Sequence, residues 1–148
     1  MGPEEIIGGQ MDWYTKVITF VITALITTAA LFPYTQKDVA LLAEVMYHEN
    51  WYTDKDHLAA YYTGAVVMNR VKSKNWPDTV EKVLYQKGQY STTKYFFKKE
   101  IPEECYQMAR DILIYGTNDV PSNVIFQAMR KQGSGVWKKV GTDYFCYE

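Results

Sequence analysis

The chain has 148 residues, of which 47% are hydrophobic and 22% charged, a composition that predicts one globular domain and excludes a disordered or collagen-like chain. Its 16 basic and 17 acidic residues leave a net charge of −1, so bulk electrostatics give no support to nucleic-acid binding. The aromatic share is high at 16%, with 13 Tyr, 6 Phe and 4 Trp. Rings with polar tips suit a sugar or peptide groove, or a membrane interface.

An apolar segment without charged residues lies at 17–32. As a helix it would cover about 24 Å, less than the roughly 30 Å hydrocarbon core, but the longer stretch 13–34 has aromatic residues at both ends, as membrane anchors have. We expect a hydrophobic helix that anchors the chain in a membrane, with an export signal and a buried apolar helix as alternatives. Pro33 ends this segment. The expected organisation is a leader over 1–36 and a domain over 37–148.

Two amphipathic helices are predicted at the start of the domain. Asp38 is the expected N-cap of the first, which runs over 39–50 with one apolar face made of Leu42, Val45, Met46 and Glu49. The second is predicted from about His57 to Ser73, with Leu58, Tyr61, Tyr62, Ala65 and Met68 facing inward. Gly64 in its middle would permit close helix packing.

The later elements are shorter. A short helix is predicted from Asp78 to about Tyr85, and a third long helix has Pro102 in its first turn and is stopped by Gly116. Short strands are expected at 123–128 and in the tail at 135–147. The predicted fold is therefore mainly α within the α+β class, with a small β element late in the chain.

Glu49 is the candidate functional residue, because an acid at the end of an apolar helical face is costly to ionise. A raised carboxyl pKa is what a general acid at a glycosidic oxygen requires near neutral pH. The alternative is a structural carboxylate that caps loop backbone or pairs with a lysine. His48 points about 100° away on a helix, so we expect it to be exposed or at a cleft rim.

The cysteine and histidine content predicts no metal site and no cofactor. Cys105 and Cys146 are too few for a disulfide framework, and with His48 and His57 they form no zinc-binding spacing. A single disulfide and two buried free thiols both remain open.

Several segments resemble, in the same order and at similar spacing, the spore-cortex-lytic enzymes of the SleB-like cell wall hydrolase family. The family shows a helix that ends in Tyr-x-Glu, a V-V-x-N-R-V helix, an aromatic-Pro-x-T-V turn, a Y-Q-x-G-Q-[FY] loop, a Y-F-x-N strand and a closing G-x-H-x-F-Y. The corresponding positions here are Tyr47 with Glu49, then 66–71, 76–80, 85–90, 124–127 and 141–147.

The resemblance implies a lysozyme-like, lytic-transglycosylase-like domain that cleaves glycan strands of peptidoglycan between N-acetylmuramic acid and N-acetylglucosamine, with Glu49 as the catalytic acid. One carboxyl group suffices for a lytic transglycosylase, which leaves 1,6-anhydro ends. A muramidase that hydrolyses the same bond needs a second carboxylate, for which Asp54 and Asp56 are candidates. A non-catalytic peptidoglycan-binding or assembly protein is the remaining alternative.

The expected substrate contacts come from the polar-aromatic loop and the late strands. They are Tyr47, Gln86, Gln89, Tyr90, Phe126, Gln127 and Tyr144, and each has a structural alternative as a turn or core residue. Gly88 is expected at positive φ, and Asn69 is expected to hold the loop after Glu49. The resemblance places the protein in the cell envelope, anchored or exported to the wall, and leaves germination, sporulation and a phage-encoded role open.

Overall fold

The computed structural model describes residues 14–18 and 33–148. Contacts divide the chain into two units, Met1–Pro33 and Tyr34–Glu148, and in the first unit residues 14–18 are helical. From residue 19 onward, the predicted apolar helix at 17–32 lies outside the described residues. Where the structure describes the chain, it contains no helix that is both long enough and apolar enough to cross a membrane.

The second unit combines helices with a small sheet, as the sequence predicts for the α+β class. Its elements in chain order are α1 (Gln36–Asn50), α2 (Leu58–Lys72), α3 (Val80–Leu84), a 3₁₀ helix (Ser91–Tyr95), α4 (Glu103–Tyr115), β1 (Val124–Ala128), β2 (Gly135–Val140) and β3 (Asp143–Tyr147).

Helix α1 begins earlier than the sequence predicts, because Thr35 rather than Asp38 is its N-cap. The Thr35 side chain accepts a hydrogen bond from the Asp38 N–H at 3.2 Å, and the Asp38 carboxylate accepts the Thr35 N–H at 2.8 Å. This reciprocal arrangement is a capping box, which satisfies two donors that the helix itself leaves unpaired. The predicted apolar face is confirmed: its three aliphatic residues are buried and Glu49 is half-buried.

Helix α2 packs closely on its neighbours at Gly64, as expected. A Cβ placed on this glycine would lie 2.6 Å from Ile112 Cδ1 on α4 and 2.9 Å from Met46 Sδ on α1. The glycine therefore lets three helices approach one another around one point. The prediction for Leu58 was wrong, because this first residue of α2 is 40% exposed.

The tail, where the sequence predicts short strands, forms two of them, β2 and β3, joined by a tight turn at Gly141 with a φ of 56°. The strand order is β1-β3-β2 with both pairs antiparallel, so β3 is central and β1 is an edge strand. The register of the β1–β3 pair shifts between Val124 and Phe126, which marks a β-bulge. Phe145 of β3 is fully buried in a core cluster with Tyr62 of α2.

Cys105 and Cys146 are both buried and free. Of the two alternatives that the sequence leaves open, the structure therefore has the pair of buried thiols. The Cys105 thiol donates to the Ala43 carbonyl at 3.2 Å, and burial raises its pKa to about 12. This cysteine is part of the packing between α1 and α4.

Two glycines at positive φ provide a matched test of backbone constraint. A Cβ at Gly133 (φ 58°) would lie 1.9 Å from the Tyr147 carbonyl oxygen, whereas a Cβ at Gly88 (φ 81°) would meet nothing within 4 Å. Gly88→Ala should lower the free energy of unfolding by about 1 kcal/mol, because it carries only the left-handed backbone penalty. Gly133→Ala adds a clash with backbone and should cost about 3 kcal/mol. Urea denaturation of both variants measures the difference, and equal losses would contradict the close approach at Gly133.

Candidate active site

Glu49 lies one residue before the end of α1, half-buried, where the chain turns into the loop before α2. The Thr92 hydroxyl of the 3₁₀ helix donates to Glu49 Oε1 at 2.5 Å. The helix end thus presents the carboxyl group, and a second element holds one of its two oxygens.

The pKa of Glu49 is raised above that of an ordinary glutamate. Burial is the largest cause, because it disfavours the charged form. The Thr92 hydrogen bond lowers the pKa, the negative charge of Asp143 raises it, and His48 lowers it. The net direction favours a protonated carboxyl, which is the physical property that its place on the apolar helix face predicts.

Glu49 borders a pocket of about 290 Å³, at the lower end of the size range of small-molecule sites. The walls come from the ends of α1 and α2, the loop before the 3₁₀ helix, β1 and the loop that follows β1. The lining residues are Glu49, Arg70, Gly88, Gln89, Tyr90, Phe126, Gln127, Ala128 and Gln132. The structure thus gathers Glu49 with Gln89, Tyr90, Phe126 and Gln127 from the predicted set, although they are far apart in sequence.

Three other residues predicted as substrate contacts are not in this lining. Tyr47 interacts with Lys99, whose Nζ lies 4.6 Å from the ring centre and whose hydrogen bond lowers the pKa of the phenol. Gln86 is exposed, and its carbonyl accepts the Gln89 N–H at 3.1 Å. Tyr144 lies on β3 with Lys139 Nζ 5.0 Å from its ring centre.

Arg70 of α2 forms the inner wall of the pocket and was not among the predicted site residues. It is 4% exposed, donates from Nε to the Ile125 carbonyl at 2.7 Å, and from an Nη to Gln89 Oε1 at 3.0 Å. Its guanidinium carbon lies 4.2 Å from the ring centre of Trp76. Arg70 therefore fixes the orientation of Gln89 in the pocket and ties β1 to α2.

The expectation that Asn69 holds the loop after Glu49 was wrong, because its side chain bonds to the start of β1 and to the turn before it. Its side-chain amide donates to the carbonyls of Pro121 and Val124, each at 2.9 Å. The side chain lies on the side of α2 that faces β1, which explains why a polar residue is buried in the middle of a helix.

A comparison with family models identifies the family to which the chain belongs. The Cell Wall Hydrolase family model matches residues 56–145. The chain belongs to this family. Neither the curated proteins nor the solved structures contain a match. Membership supports an enzyme that acts on peptidoglycan in the cell envelope. The match begins after Glu49, so the position of Glu49 in the pocket is independent of it.

The pocket of this cell wall hydrolase contains two buried polar atoms without a hydrogen-bond partner among the described residues: the Tyr90 hydroxyl and Gln127 Oε1. The Tyr90 side chain is 8% exposed, and burial raises the pKa of its phenol. Buried polar atoms are normally paired, and each unpaired one carries a desolvation cost. Both residues line the pocket, so each unpaired atom belongs to a side chain of its wall.

From its helical position we expect His48 to be exposed or at a cleft rim, but the structure buries most of its side chain. Its side chain is 11% exposed, its Nε2 lies 3.2 Å from the buried Glu44 carboxylate, and its ring stacks on Phe96 with centres 5.9 Å apart. The 3₁₀ region packs over this face of α1 and covers the ring. Spacing along one helix cannot reveal such a covering segment.

Asp54 and Asp56, the predicted candidates for a second carboxylate, do not line the pocket. Asp54 caps α2, because its carboxylate accepts the N–H groups of Leu58 and Ala59, both at 2.9 Å, and Asp56 is exposed. The acid whose charge reaches Glu49 is Asp143, which the sequence analysis missed. The sequence does contain a feature that points to Asp143: it occupies the position at which the closing G-x-H-x-F-Y motif has histidine.

Across the described ranges 14–18 and 33–148, no group of three or more His, Cys, Asp or Glu residues is arranged to hold a metal ion. The polar groups in the pocket lining are carboxyl, amide, phenol and guanidinium groups.

Tyr90→Phe separates a ligand-binding hydroxyl from a structural one. Because this hydroxyl has no partner among the described residues, its removal should leave the free energy of unfolding unchanged or raise it by up to about 1 kcal/mol. The matched control is Tyr61→Phe, which removes a hydroxyl that donates to Asp119. Thermal and urea unfolding of both variants measure the difference. A Tyr90→Phe variant less stable than Tyr61→Phe would show that the hydroxyl is structural.

Proposed function

We propose that the protein cleaves the glycan strand of peptidoglycan between N-acetylmuramic acid and N-acetylglucosamine, as a lytic transglycosylase with Glu49 as its acid and base. One observation carries the proposal: a half-buried carboxyl group with a raised pKa borders a pocket lined by polar and aromatic side chains. Membership of the cell wall hydrolase family supplies the substrate class.

In the first step, protonated Glu49 donates its proton to the glycosidic oxygen while the bond from that oxygen to C1 of muramic acid breaks. Thr92 donates to Oε1, which leaves Oε2 to carry the proton. The raised pKa keeps a larger share of the carboxyl protonated near neutral pH than an exposed glutamate would have.

In the second step, the resulting carboxylate takes the proton of the muramic C6 hydroxyl, and the C6 oxygen closes on C1 to form the 1,6-anhydro ring. A hydrolase would instead place a second carboxylate in the cleft, as nucleophile or as base for water. Among the described residues that line the pocket, Glu49 is the sole carboxylic acid. This favours the transglycosylase.

A muramidase that hydrolyses the same bond is the second candidate. The charge of Asp143 raises the pKa of Glu49, so a second acid lies close to the first even though it does not line the pocket. A substrate that opened the pocket toward Asp143 would give a water molecule a base. The two reactions leave different ends, anhydro or reducing.

The binding part of the proposal rests on the two unpaired polar atoms. The Tyr90 hydroxyl can donate to an acetamido carbonyl or a sugar hydroxyl, and Gln127 Oε1 can accept from an acetamido N–H. The Phe126 ring supplies an apolar face for a sugar ring. Tyr47, Gln86 and Tyr144, outside this pocket, stay predicted contacts of a longer glycan.

The cell envelope is the place of action that the family implies. An anchor formed by residues 13–34 stays a prediction, because all but seven of these residues lie outside the described ranges 14–18 and 33–148.

Glu49→Gln should abolish release of soluble fragments from purified peptidoglycan, with a loss of at least about 10³-fold, because an amide cannot donate the proton. The variant should be at least as stable as the parent at neutral pH, since burial raises the pKa of Glu49 and therefore disfavours the ionised form in the folded state. Mass spectrometry of the fragments and thermal unfolding provide the two measurements.

The control for this test is Asp56→Asn, which removes an exposed carboxylate from the loop after α1 and should leave cleavage unchanged. Full activity of Glu49→Gln would refute the assignment of Glu49. Anhydro ends in the parent digest support the transglycosylase, and reducing ends establish the muramidase. If the parent protein binds peptidoglycan but releases no fragments, the proposed cleavage is refuted and the protein is a non-catalytic wall-binding protein.

Tyr90→Phe should also weaken binding of a chitooligosaccharide that carries acetamido groups, by about 5- to 50-fold in Kd, since the ligand loses one hydrogen bond in a desolvated pocket. Calorimetry on the parent and variant measures the difference, with Tyr61→Phe as the control. Equal affinities of the parent and Tyr90→Phe would exclude the hydroxyl as a ligand contact.

A further inference from the structure

Segment 83–99 contains the pocket loop and the 3₁₀ helix, and its charge differs from that of the rest of the chain. It has four lysines and no acid, whereas the remaining residues carry 12 basic and 17 acidic side chains. All four lysines are exposed, and we call them the lysine surface: Lys87, Lys94, Lys98 and Lys99. In a chain with a net charge of −1, positive charge is thus gathered on a segment that supplies part of the pocket wall.

The segment packs on α1 through side chains other than its lysines. The Thr92 hydroxyl donates to Glu49 Oε1 at 2.5 Å, and Phe96, which is 6% exposed, stacks on the His48 ring. At the start of the segment, Gly88, which follows Lys87, lines the pocket. The lysine surface therefore belongs to the same short stretch of chain that contacts Glu49 and borders the pocket.

The lysine surface has no acidic partner within the protein. Across residues 14–18 and 33–148, no lysine of this surface forms an ion pair, whereas Lys37 and Lys82 each bind a carboxylate at 2.8 to 2.9 Å. Glu44, whose charge acts on Lys99, is 1% exposed and lies against His48. The ammonium groups are thus available to an anion that comes from outside the chain.

Exposed aromatic rings lie among these lysines. Lys94 Nζ is 5.0 Å from the ring centre of Tyr95, which is 48% exposed, and Phe97 is 58% exposed. Lys99 Nζ is 4.6 Å from the ring centre of Tyr47, two residues before Glu49 in α1. Ammonium groups beside open rings match a ligand that combines carboxylates with small apolar groups.

The substrate of the proposed function carries such groups next to the bond that is cleaved. Each N-acetylmuramic acid of peptidoglycan bears a stem peptide on its lactyl group, and this peptide combines free carboxylates with the methyl groups of alanine. A muramic acid in the pocket brings its own peptide to the pocket rim, where segment 83–99 begins. Opposite charges on the peptide and on this segment are therefore complementary.

We propose that the lysine surface binds the carboxylates of the stem peptide, so that the protein recognises peptide-bearing glycan in preference to bare glycan. This proposal rests on the proposed function for the identity of the sugar in the pocket. It adds a second recognition element, which reads the peptide rather than the sugar. Exposed ion pairs of this kind weaken as the salt concentration rises.

The test compares two soluble ligands that differ in charge: N-acetylglucosaminyl-N-acetylmuramoyl tetrapeptide, and the same molecule with its carboxylates converted to amides. The bond between the two sugars runs from C1 of N-acetylglucosamine, so it is not the bond that the proposed reaction cleaves, and calorimetry on the full chain measures binding alone. The parent should bind the carboxylate form about 3- to 30-fold more tightly at low salt. This ratio should fall toward one at about 0.5 M salt, where charges are screened.

Two double variants separate a local effect from one of net charge. Lys94→Gln/Lys98→Gln removes two unpaired cations and should bring the ratio of the two affinities close to one. Lys37→Gln/Lys82→Gln removes the same charge from exposed lysines that are ion-paired within the protein, and should keep the parent ratio. Thermal unfolding establishes that both variants are folded.

Several results would overturn the proposal. They are a parent that does not bind the carboxylate ligand, a parent ratio of one, a parent ratio that Lys94→Gln/Lys98→Gln retains, and an equal loss of the ratio in both double variants. Tighter binding of poly(glycerol phosphate) or of phosphatidylglycerol vesicles than of the muropeptide, lost in Lys94→Gln/Lys98→Gln, would assign the surface to a wall polymer or to a membrane.

Digestion of cell walls gives a separate readout. The parent should release fragments from intact peptidoglycan about 3- to 10-fold faster than from peptidoglycan with amidated carboxylates, because the uncharged peptide loses its contacts with the lysine surface. If the parent releases no fragments from either, the proposed function fails. The calorimetric ratio still decides whether the lysine surface binds the stem peptide.

Discussion

The burial of one guanidinium group, that of Arg70, is the constraint on which the site depends. A buried cation is costly unless its donors are satisfied. No carboxylate among the described residues pairs with it, and its neighbours in space are neutral: Nε donates to the Ile125 carbonyl, an Nη donates to Gln89 Oε1, and the face of Trp76 lies against the guanidinium. These groups come from β1, the pocket loop and the turn before α3. Satisfying the cation therefore fixes three separate segments on α2.

This arrangement restrains the pocket walls, two of which are loops. Gln89 is exposed, yet its side-chain oxygen accepts a hydrogen bond from the buried Arg70. Side chains held by buried neighbours lose little further freedom when a ligand binds, which lowers the entropic cost of recognition. The Tyr90 ring, whose centre is 5.4 Å from the Arg70 guanidinium carbon, adjoins the same group, and its hydroxyl has no partner among the described residues.

The features that sequence predicts well here are those set by local chemistry. The apolar face of α1, the close packing at Gly64, the end of α4 at Gly116 and the positive φ of Gly88 all follow from side-chain size, period or backbone freedom. Of the seven predicted contacts, the structure places four in one pocket with Glu49, namely Gln89, Tyr90, Phe126 and Gln127.

What the sequence could not reveal depends on contacts between distant segments. The burial of His48 depends on Phe96, and the effect of Asp143 on Glu49 depends on the strand that brings it to α1. The prediction of Asp38 as N-cap is a local error of another kind. Both Thr35 and Asp38 suit the position, and in the capping box Thr35 is the N-cap while Asp38 bonds back to it.

The bulge in β1 has a consequence for how the pocket recognises a ligand. Successive carbonyls of a regular strand point to opposite edges, but here those of Val124 and Ile125 both accept from α2, through Asn69 and Arg70. Helix α2 thus covers the first part of an edge strand, and the remaining part, 126–128, borders the pocket. Main-chain groups on that edge border the pocket whatever the side chains are. A ligand that bonded these main-chain groups would keep those bonds when the side chains of 126–128 were exchanged.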